Sequence, residues 1–211
     1  MPTFACITIV VLALQVAANV LSAQETEQLI DVLEARVPQL METEHVPGLS
    51  MVLIRDGRIA WKGVFGVRTA GKPEKVDGET VFEAASMSKC VFSYAVLKLV
   101  EEGRFVLDRP LDSYLSEPYL PDQPLAKQIT GRMVLLHRTG LPNWREGGWR
   151  KGGPLKVLHE PGTRFTYSGE GYTYLQTVIA HLTGQSVDAW MDQALLGPLN
   201  MMRSSYVWRP S

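Results

Sequence analysis

The sequence predicts a chain of the α+β class, in which one antiparallel hairpin stands beside several helices. Residues 49–54 and 59–65 are short apolar segments on either side of Asp56-Gly57, which is the pattern of two strands joined by a tight turn. Residues 24–44 and most of the chain after Ser86 instead space their apolar side chains at the helical period. A hairpin followed by a mainly helical remainder is therefore the expected organisation.

The first predicted helix covers residues 24–44 and ends at Pro47-Gly48. Its apolar side chains share one face, and its N-terminal end is acidic, which suits the helix dipole. The hairpin follows directly. Two strands alone do not form a stable sheet, and the remaining sequence offers no convincing partner strands.

A second helix is predicted from Ser86 to Gly103, with Gly103 as its C-cap. Its apolar positions surround most of the circumference, so we expect this helix to be buried on most sides. Shorter helices are predicted over 129–137 and up to Gly184, and Ser186 is placed to cap a last one.

Length and charge limit the possible functions. The 211 residues suit one medium domain, or one lobe plus part of another. A formal net charge of −1 gives no reason to expect nucleic acid or an anionic membrane as a partner. The four histidines are scattered without metal-ligand spacing, and no nucleotide fingerprint is present. We therefore expect no metal and no cofactor, and a small-molecule or peptide-like substrate remains open, as does the oligomeric state.

The first 23 residues have the pattern of a signal peptide. Residues 4–14 are an unbroken run of apolar or small side chains, and Leu21-Ser22-Ala23 resembles a cleavage site. No Lys or Arg precedes the run, so an uncleaved membrane anchor is the alternative. We expect a secreted or periplasmic protein with no stable membrane span after cleavage, because the run is too short to cross a bilayer comfortably.

Cysteine usage is sparse in this chain. Cys6 lies in the predicted signal peptide, which leaves Cys90 alone in the mature protein and excludes an internal disulfide. Cys90 directly follows Lys89, but free cysteine is among the most buried residue types. We therefore expect Cys90 to be a small apolar core residue and not a nucleophile.

The stretch Phe82-Glu-Ala-Ala-Ser86-Met-Ser-Lys89 contains the components of an activated nucleophile. Ser86 and Lys89 are one helical turn apart, so their side chains share a face. A serine hydroxyl needs a neighbour to take its proton, and a lysine can do so when burial disfavours its ammonium form. Such an S-x-x-K motif is weak alone, because about one chance match is expected in a chain of this length.

Several separated stretches support the motif, in collinear order between Val46 and Ser205. They are the hairpin over 51–65, the Ser86 motif, Leu107-Asp-Arg-Pro-Leu-Asp-Ser-Tyr-Leu115, Leu135-Leu-His-Arg-Thr-Gly-Leu-Pro142, Glu160-Pro-Gly-Thr-Arg-Phe-Thr-Tyr-Ser168 and Leu196-Gly-Pro-Leu-Asn-Met201. In these stretches the chain resembles the serine hydrolases related to class C β-lactamases, penicillin-binding carboxypeptidases and β-lactamase-like esterases.

The resemblance implies a β-lactamase/transpeptidase-like fold, in which an antiparallel sheet flanked by helices joins an all-helical lobe. In this family, strands after the helical lobe return to pair with the opening hairpin and supply one oxyanion-hole N–H. The sequence contains no such strands and no Lys-Thr-Gly or His-Thr-Gly motif in the right place. We therefore expect residues 24–211 to be a β-lactamase-related domain that is truncated at its C-terminus.

The resemblance also implies the roles of three residues. Ser86 would attack a carbonyl carbon and become acylated, and Lys89 would help to remove its proton. Tyr167 would lie across the pocket as the partner base and later donate a proton to the leaving group. His137 lies in a family-like stretch, but we expect it to make a structural hydrogen bond and not to act in catalysis.

The stretch after Tyr167 departs from the family pattern. The family commonly has Y-x-N at this point, whereas this chain has Tyr167-Ser168-Gly169, so the amide that binds the substrate is missing. Glu170 follows and would replace part of that polarity, or serve only as a first-turn acid favoured by the helix dipole. Ser168, Gly169 and Glu170 are therefore the candidate substrate-binding residues.

The leading hypothesis is a serine hydrolase that forms an acyl-enzyme on an ester, amide or β-lactam bond. The departure at Gly169 counts against β-lactam turnover more than against simple ester cleavage. The alternative is a non-catalytic relative that binds a peptide or small ligand in the same cleft. The alternative predicts binding without turnover.

The signal peptide yields a direct prediction. Export of the chain from a bacterial host is expected to release a protein whose N-terminus lies near Gln24, because Leu21-Ser22-Ala23 offers the small residues that a signal peptidase needs. N-terminal sequencing of the exported protein measures this. An exported protein that still begins at Met1 would favour the uncleaved anchor.

Overall fold

The structure is a computed structural model that describes residues 3–209, and for 3–22, 149 and 150 it describes the backbone alone. In this part of the chain, no helix is both long and apolar enough to cross a membrane. The side chains of nearly all of the predicted signal peptide, residues 1–23, lie outside those that the structure describes. Signal cleavage therefore stays a prediction.

The chain divides into two compact units, and the first, Met1–Val81, combines a helix with the hairpin. Helix α1, Thr3–Thr43, is followed by strands β1, Gly48–Arg55, and β2, Arg58–Gly66. The last turns of α1 pack against β2 and bury two apolar side chains of the helix, Val37 and Met41. The predicted helix over 24–44 is thus the C-terminal half of α1.

The hairpin has the turn that the sequence predicts. Strands β1 and β2 are antiparallel, with Leu49 opposite Phe65 at one end and Arg55 opposite Arg58 at the other. The turn residues Asp56 and Gly57 have φ angles of 51° and 70°, both in the left-handed region. A two-residue hairpin turn requires such angles, and Asp-Gly is among the pairs that adopt them at least cost.

The second unit, Phe82–Ser211, is mainly helical. A 3-10 turn over Ala85–Met87 leads into its first helix. Its helices are α2, Ser88–Glu101, α3, Gly131–Leu135, α4, Gly148–Lys151, α5, Gly169–Thr183, and α6, Val187–Met191, which a π-helical turn over Asp192–Leu196 extends. Ser186 caps α6 by accepting a hydrogen bond from the Ala189 N–H, as predicted.

Helices α2, α5 and α6 meet in the core of the second unit. Phe92 of α2 lies edge-on to Trp190 of α6, with ring centres 6.0 Å apart. Leu175 and Ile179 of α5 are fully buried in the same cluster. The first residues of α2 and α5 are therefore held by the core that these helices share.

The expectation that α2 is buried on most sides is wrong for this structure. One face enters the core, with Phe92, Ala95, Val96 and Leu99 buried. Cys90, Tyr94 and Leu97 lie on the opposite face and are exposed. At about 100° per residue these positions are half a turn from the buried set. The expectation that Cys90 is a core residue is therefore wrong as well.

The two faces of α2 should respond differently to truncation. Phe92→Ala is expected to lower the free energy of unfolding by about 3–5 kcal/mol, because it removes a buried ring and leaves a cavity. Tyr94→Ala on the exposed face of the same helix is expected to change it by only about 0.5 kcal/mol. Urea unfolding of both variants measures this, and equal losses would contradict the assigned burial.

Candidate active site

Ser86 and Lys89 are brought together where α2 begins. The Lys89 Nζ donates a hydrogen bond to Ser86 Oγ over 3.0 Å. Helical geometry alone accounts for the contact, since the two residues are one turn apart. At this end of α2 the backbone N–H groups carry partial positive charge, which favours negative charge developing at Ser86.

The turn that carries Ser86 has an unusual backbone. Ala85 has a φ of 44°, in the left-handed region that residues with a Cβ adopt only at a cost. The Met87 N–H closes the turn on the Ala84 carbonyl over 3.0 Å. The Ser88 hydroxyl bonds to the Ala85 carbonyl. A small residue before the serine suits this conformation, because a bulky or β-branched side chain would be more strained.

Tyr167 reaches the same point from a distant part of the chain. Hydrogen bonds to Ser86 and then to Lys89 lower the pKa of Tyr167 below that of an ordinary phenol, and the charge of Lys89 acts in the same direction. The Lys89 Nζ lies 5.2 Å from the centre of the Tyr167 ring. The structure thus brings together the three residues that the resemblance names as catalytic.

A second tyrosine lies beside the same lysine in a different environment. The Lys89 Nζ is 5.7 Å from the ring centre of Tyr172, which belongs to the first turn of α5. Burial raises the pKa of Tyr172, and its hydroxyl lies 3.0 Å from Ser93 Oγ. The two tyrosines therefore have pKa values shifted in opposite directions, and only Tyr167 is suited to exchange a proton with Ser86.

His137 holds the segment that contains Tyr167. The Thr166 N–H donates to the His137 carbonyl oxygen over 2.7 Å, and the Ser168 N–H donates to His137 Nδ1 over 3.0 Å. This confirms that His137 makes a structural hydrogen bond. Its link to Tyr167 was not predicted, although its position in the Leu135–Pro142 stretch was a signal that could have indicated it.

More backbone contacts join the same two regions of the chain. The Gly162 N–H donates to the Arg138 carbonyl over 2.7 Å, and the Leu158 N–H donates to the Gly140 carbonyl over 2.8 Å. Gly140 has a φ of 77°, and a Cβ there would lie 2.2 Å from the His159 carbonyl oxygen. Glycine is therefore required where the two regions come closest.

Ser168 and Gly169 have hydrogen-bond partners within the fold. Ser168 is buried, and its hydroxyl accepts from the Gly171 N–H over 2.8 Å as the N-cap of α5. The Gly169 N–H donates to Asn143 Oδ1 over 3.0 Å. These contacts fix the N-terminus of α5 immediately after Tyr167. The predicted substrate-binding role of both residues stays a prediction.

Glu170 forms a buried ion pair with Arg145. The Arg145 Nη2 lies 2.6 Å from Glu170 Oε2, and both Nε and the backbone N–H of Arg145 bond to Oε1. The carboxylate side chain is only 5% exposed. The side-chain hydrogen bonds that Arg145 donates to Glu170 raise the pKa of Arg145. Both carboxylate oxygens thus serve the fold, and the predicted substrate contact of Glu170 stays a prediction.

Comparison with protein families finds one match over most of the chain. The Beta-lactamase family model matches residues 33–211. Two curated relatives are Protein flp of Staphylococcus aureus (strain MRSA252) and an N-acetylmuramyl-L-alanine amidase of Bacillus subtilis (strain 168). The chain is 25% identical to the first over 195 residues and 27% identical to the second over 229 residues.

A solved structure has the same arrangement over most of this chain. The octameric penicillin-binding protein homologue from Pyrococcus abyssi has a TM-score of 0.67 and 26% identity, and the match covers 82% of this chain and 43% of that one. The curated matches cover 86% and 91% of this chain but only 38% of flp and 51% of the amidase. The chain therefore spans about half the length of these relatives, or less.

The close approach at Gly169 can be tested by adding one methyl group. A Cβ at this position would lie 2.7 Å from the Asn143 carbonyl oxygen and 3.0 Å from Asn143 Oδ1. Gly169→Ala is therefore expected to lower the free energy of unfolding by about 1–3 kcal/mol. Gly78→Ala is the matched control, because a Cβ there meets no atom within 4 Å. Chemical denaturation measures both, and a neutral Gly169→Ala would contradict the geometry.

Proposed function

Because the chain belongs to the Beta-lactamase family, we propose that it is a serine hydrolase that acts through an acyl-enzyme on Ser86. The observation that carries the proposal is the hydrogen bond of 3.0 Å between Lys89 Nζ and Ser86 Oγ, with the Tyr167 ring centre 5.2 Å from the same Lys89 Nζ. Covalent catalysis generally needs a nucleophile within hydrogen-bond reach of a base, and a third group that orients the base.

The proposed reaction has two halves. Ser86 Oγ forms a bond to the substrate carbonyl carbon while its proton passes to the Lys89–Tyr167 pair. The bond from that carbon to the leaving oxygen or nitrogen then breaks, and Tyr167 donates a proton to the leaving group. Water next attacks the acyl carbon and gives up a proton to the same pair. The bond from the acyl carbon to Ser86 Oγ then breaks, which releases the acid, and the pair returns the proton to Oγ.

The substrate is proposed to be a small-molecule or peptide-like compound with an ester, amide or β-lactam bond. The Bacillus subtilis relative is named as an amidase, which supports an amide bond among these three. The apolar run over residues 4–14 supports export, so the proposed substrate is extracytoplasmic. The absence of a side chain at Gly169 favours substrates that need no amide contact on the acyl side.

A non-catalytic ligand-binding protein is the second candidate. The observation that favours it is Gly169, which stands where the family pattern Y-x-N has an asparagine, while both oxygens of the nearby Glu170 carboxylate are bonded to Arg145. A site with fewer polar groups for the substrate would bind a ligand and turn it over slowly or not at all.

Covalent labelling distinguishes the two candidates. The protein is expected to be acylated by a fluorescent penicillin, or phosphonylated by a fluorophosphonate, at Ser86, and intact mass with peptide mapping measures the adduct. Ser86→Ala is expected to abolish the adduct, because Ser86 Oγ is the hydroxyl to which Lys89 Nζ is hydrogen-bonded in the described part of the chain. Ser50→Ala, an exposed serine of β1, is the control and should label like the natural protein.

Two outcomes would count against the serine mechanism. An adduct that persists in Ser86→Ala would show that Ser86 is not the nucleophile. A natural protein that binds penicillin reversibly, with no adduct at Ser86, would instead favour the non-catalytic candidate.

A further inference from the structure

His137 makes more contacts with the Tyr167 segment than a single structural hydrogen bond. We propose that His137, as a neutral imidazole, is the positioning residue that holds Tyr167 against Ser86 and Lys89. The inference rests on the proposed function, because Tyr167 is the partner base in that mechanism. It also implies that the alignment of Tyr167 is lost when the imidazole becomes protonated.

Three contacts fix Tyr167 to this one residue. The residue before Tyr167 is bound through the Thr166 N–H to the His137 carbonyl, and the residue after it through the Ser168 N–H to His137 Nδ1. Between these two bonds the rings of His137 and Tyr167 lie against each other, with centres 4.3 Å apart and planes at 31°. The phenol and the backbone after Tyr167 therefore depend on where the imidazole lies, whereas the backbone before it depends on the His137 carbonyl.

The imidazole is itself held on two other sides. Its ring centre is 5.8 Å from that of Phe165, which meets it edge-on, and 5.4 Å from that of Tyr172 on α5. His137 also has a φ of 54°, a left-handed conformation that costs free energy in a residue with a Cβ. Such a conformation persists only where the surrounding contacts impose it, and here it presents both the carbonyl and the ring to one segment.

The contact to Ser168 requires a neutral ring. Nδ1 accepts a hydrogen bond from the Ser168 N–H, so it carries no proton and the ring proton belongs on Nε2. Protonation would place an Nδ1–H against the Ser168 N–H and would remove this acceptor. The bond would then be replaced by a repulsive contact next to Tyr167.

The charges around His137 oppose protonation. The titratable groups that face the His137 ring are Lys89 on α2, Tyr172 on α5, and Tyr167 in the segment that His137 binds. Burial first, and then the positive charge of Lys89, lower the pKa of His137 below its ordinary value of 6.5. The ring is therefore neutral at neutral pH, and its contacts are lost as the pH falls from 6.5 through the lowered pKa.

Two substitutions test separately the Nδ1 hydrogen-bond acceptor of His137 and the contact of its ring with Tyr167. His137→Asn places an amide oxygen near the position of Nδ1, does not titrate, and tolerates a left-handed φ. His137→Phe keeps the ring contact with Tyr167 but has no acceptor for the Ser168 N–H. His181→Asn, an exposed histidine in the last turn of α5, is the control.

The readout is the second-order rate at which Ser86 reacts with a fluorophosphonate, between about pH 5 and pH 8, a range that spans the ordinary titration of histidine. The natural protein and His181→Asn are expected to lose rate in acid with a midpoint below 6.5. His137→Asn should lack that loss while still reacting at neutral pH. His137→Phe should react about tenfold more slowly at neutral pH, the effect of one lost hydrogen bond. Should His137→Phe fail to fold, the pH profile of His137→Asn decides alone.

An unchanged acid loss in His137→Asn, or wild-type rates in both variants, would overturn the inference. No adduct at Ser86 in any variant would refute the proposed function instead. The contact can then be followed by NMR, where the Ser168 amide proton should shift with a midpoint below 6.5 in the natural protein but not in His137→Asn. An amide shift that does not titrate would overturn the role of Nδ1.

Discussion

The pairing of two chain segments, 137–145 and 158–170, is the interaction on which the candidate site depends. Ser86 and Lys89 meet because they are one helical turn apart, and no distant contact is needed for that. Tyr167 has no such local reason to lie beside them. It is held by backbone bonds to His137 and by the capped start of α5, which the Glu170–Arg145 ion pair fixes in turn. Loss of this pairing would leave a serine and a lysine without the third group.

The electrostatics of the site follow from one cation among aromatic rings. Lys89 lies within reach of the ring faces of Tyr167 and Tyr172, which attract a cation through their quadrupoles. Ser86 first, and then Lys89, lower the pKa of Tyr167, whereas burial raises that of Tyr172. The charge of Lys89 also disfavours a proton on His137. Lys89 thus contributes to the lowered pKa values of both Tyr167 and His137, after Ser86 in the first case and after burial in the second.

The glycine at position 169 is explained by its neighbour. Asn143 accepts a hydrogen bond from the Gly169 N–H, and its backbone oxygen occupies the space where a Cβ would begin. An asparagine side chain at 169, as in the common Y-x-N pattern, is therefore incompatible with this packing. Glycine in place of the asparagine of the family pattern therefore accompanies the packing of residues 137–145 against the start of α5. It is not an isolated loss of one side chain.

By itself the sequence determined the local features and the family. Periodicity located the C-terminal half of α1 and the two strands, and turn and cap residues located the Asp56-Gly57 turn and the cap at Ser186, because each depends on neighbours in the chain. Collinear motifs indicated Ser86, Lys89 and Tyr167 as the candidate catalytic residues. Only the tertiary structure decided that one face of α2 is exposed, with Cys90 on it, and that His137 and Asn143 support Tyr167 and Gly169. These outcomes depend on contacts between residues 26 or more positions apart, which no local pattern records.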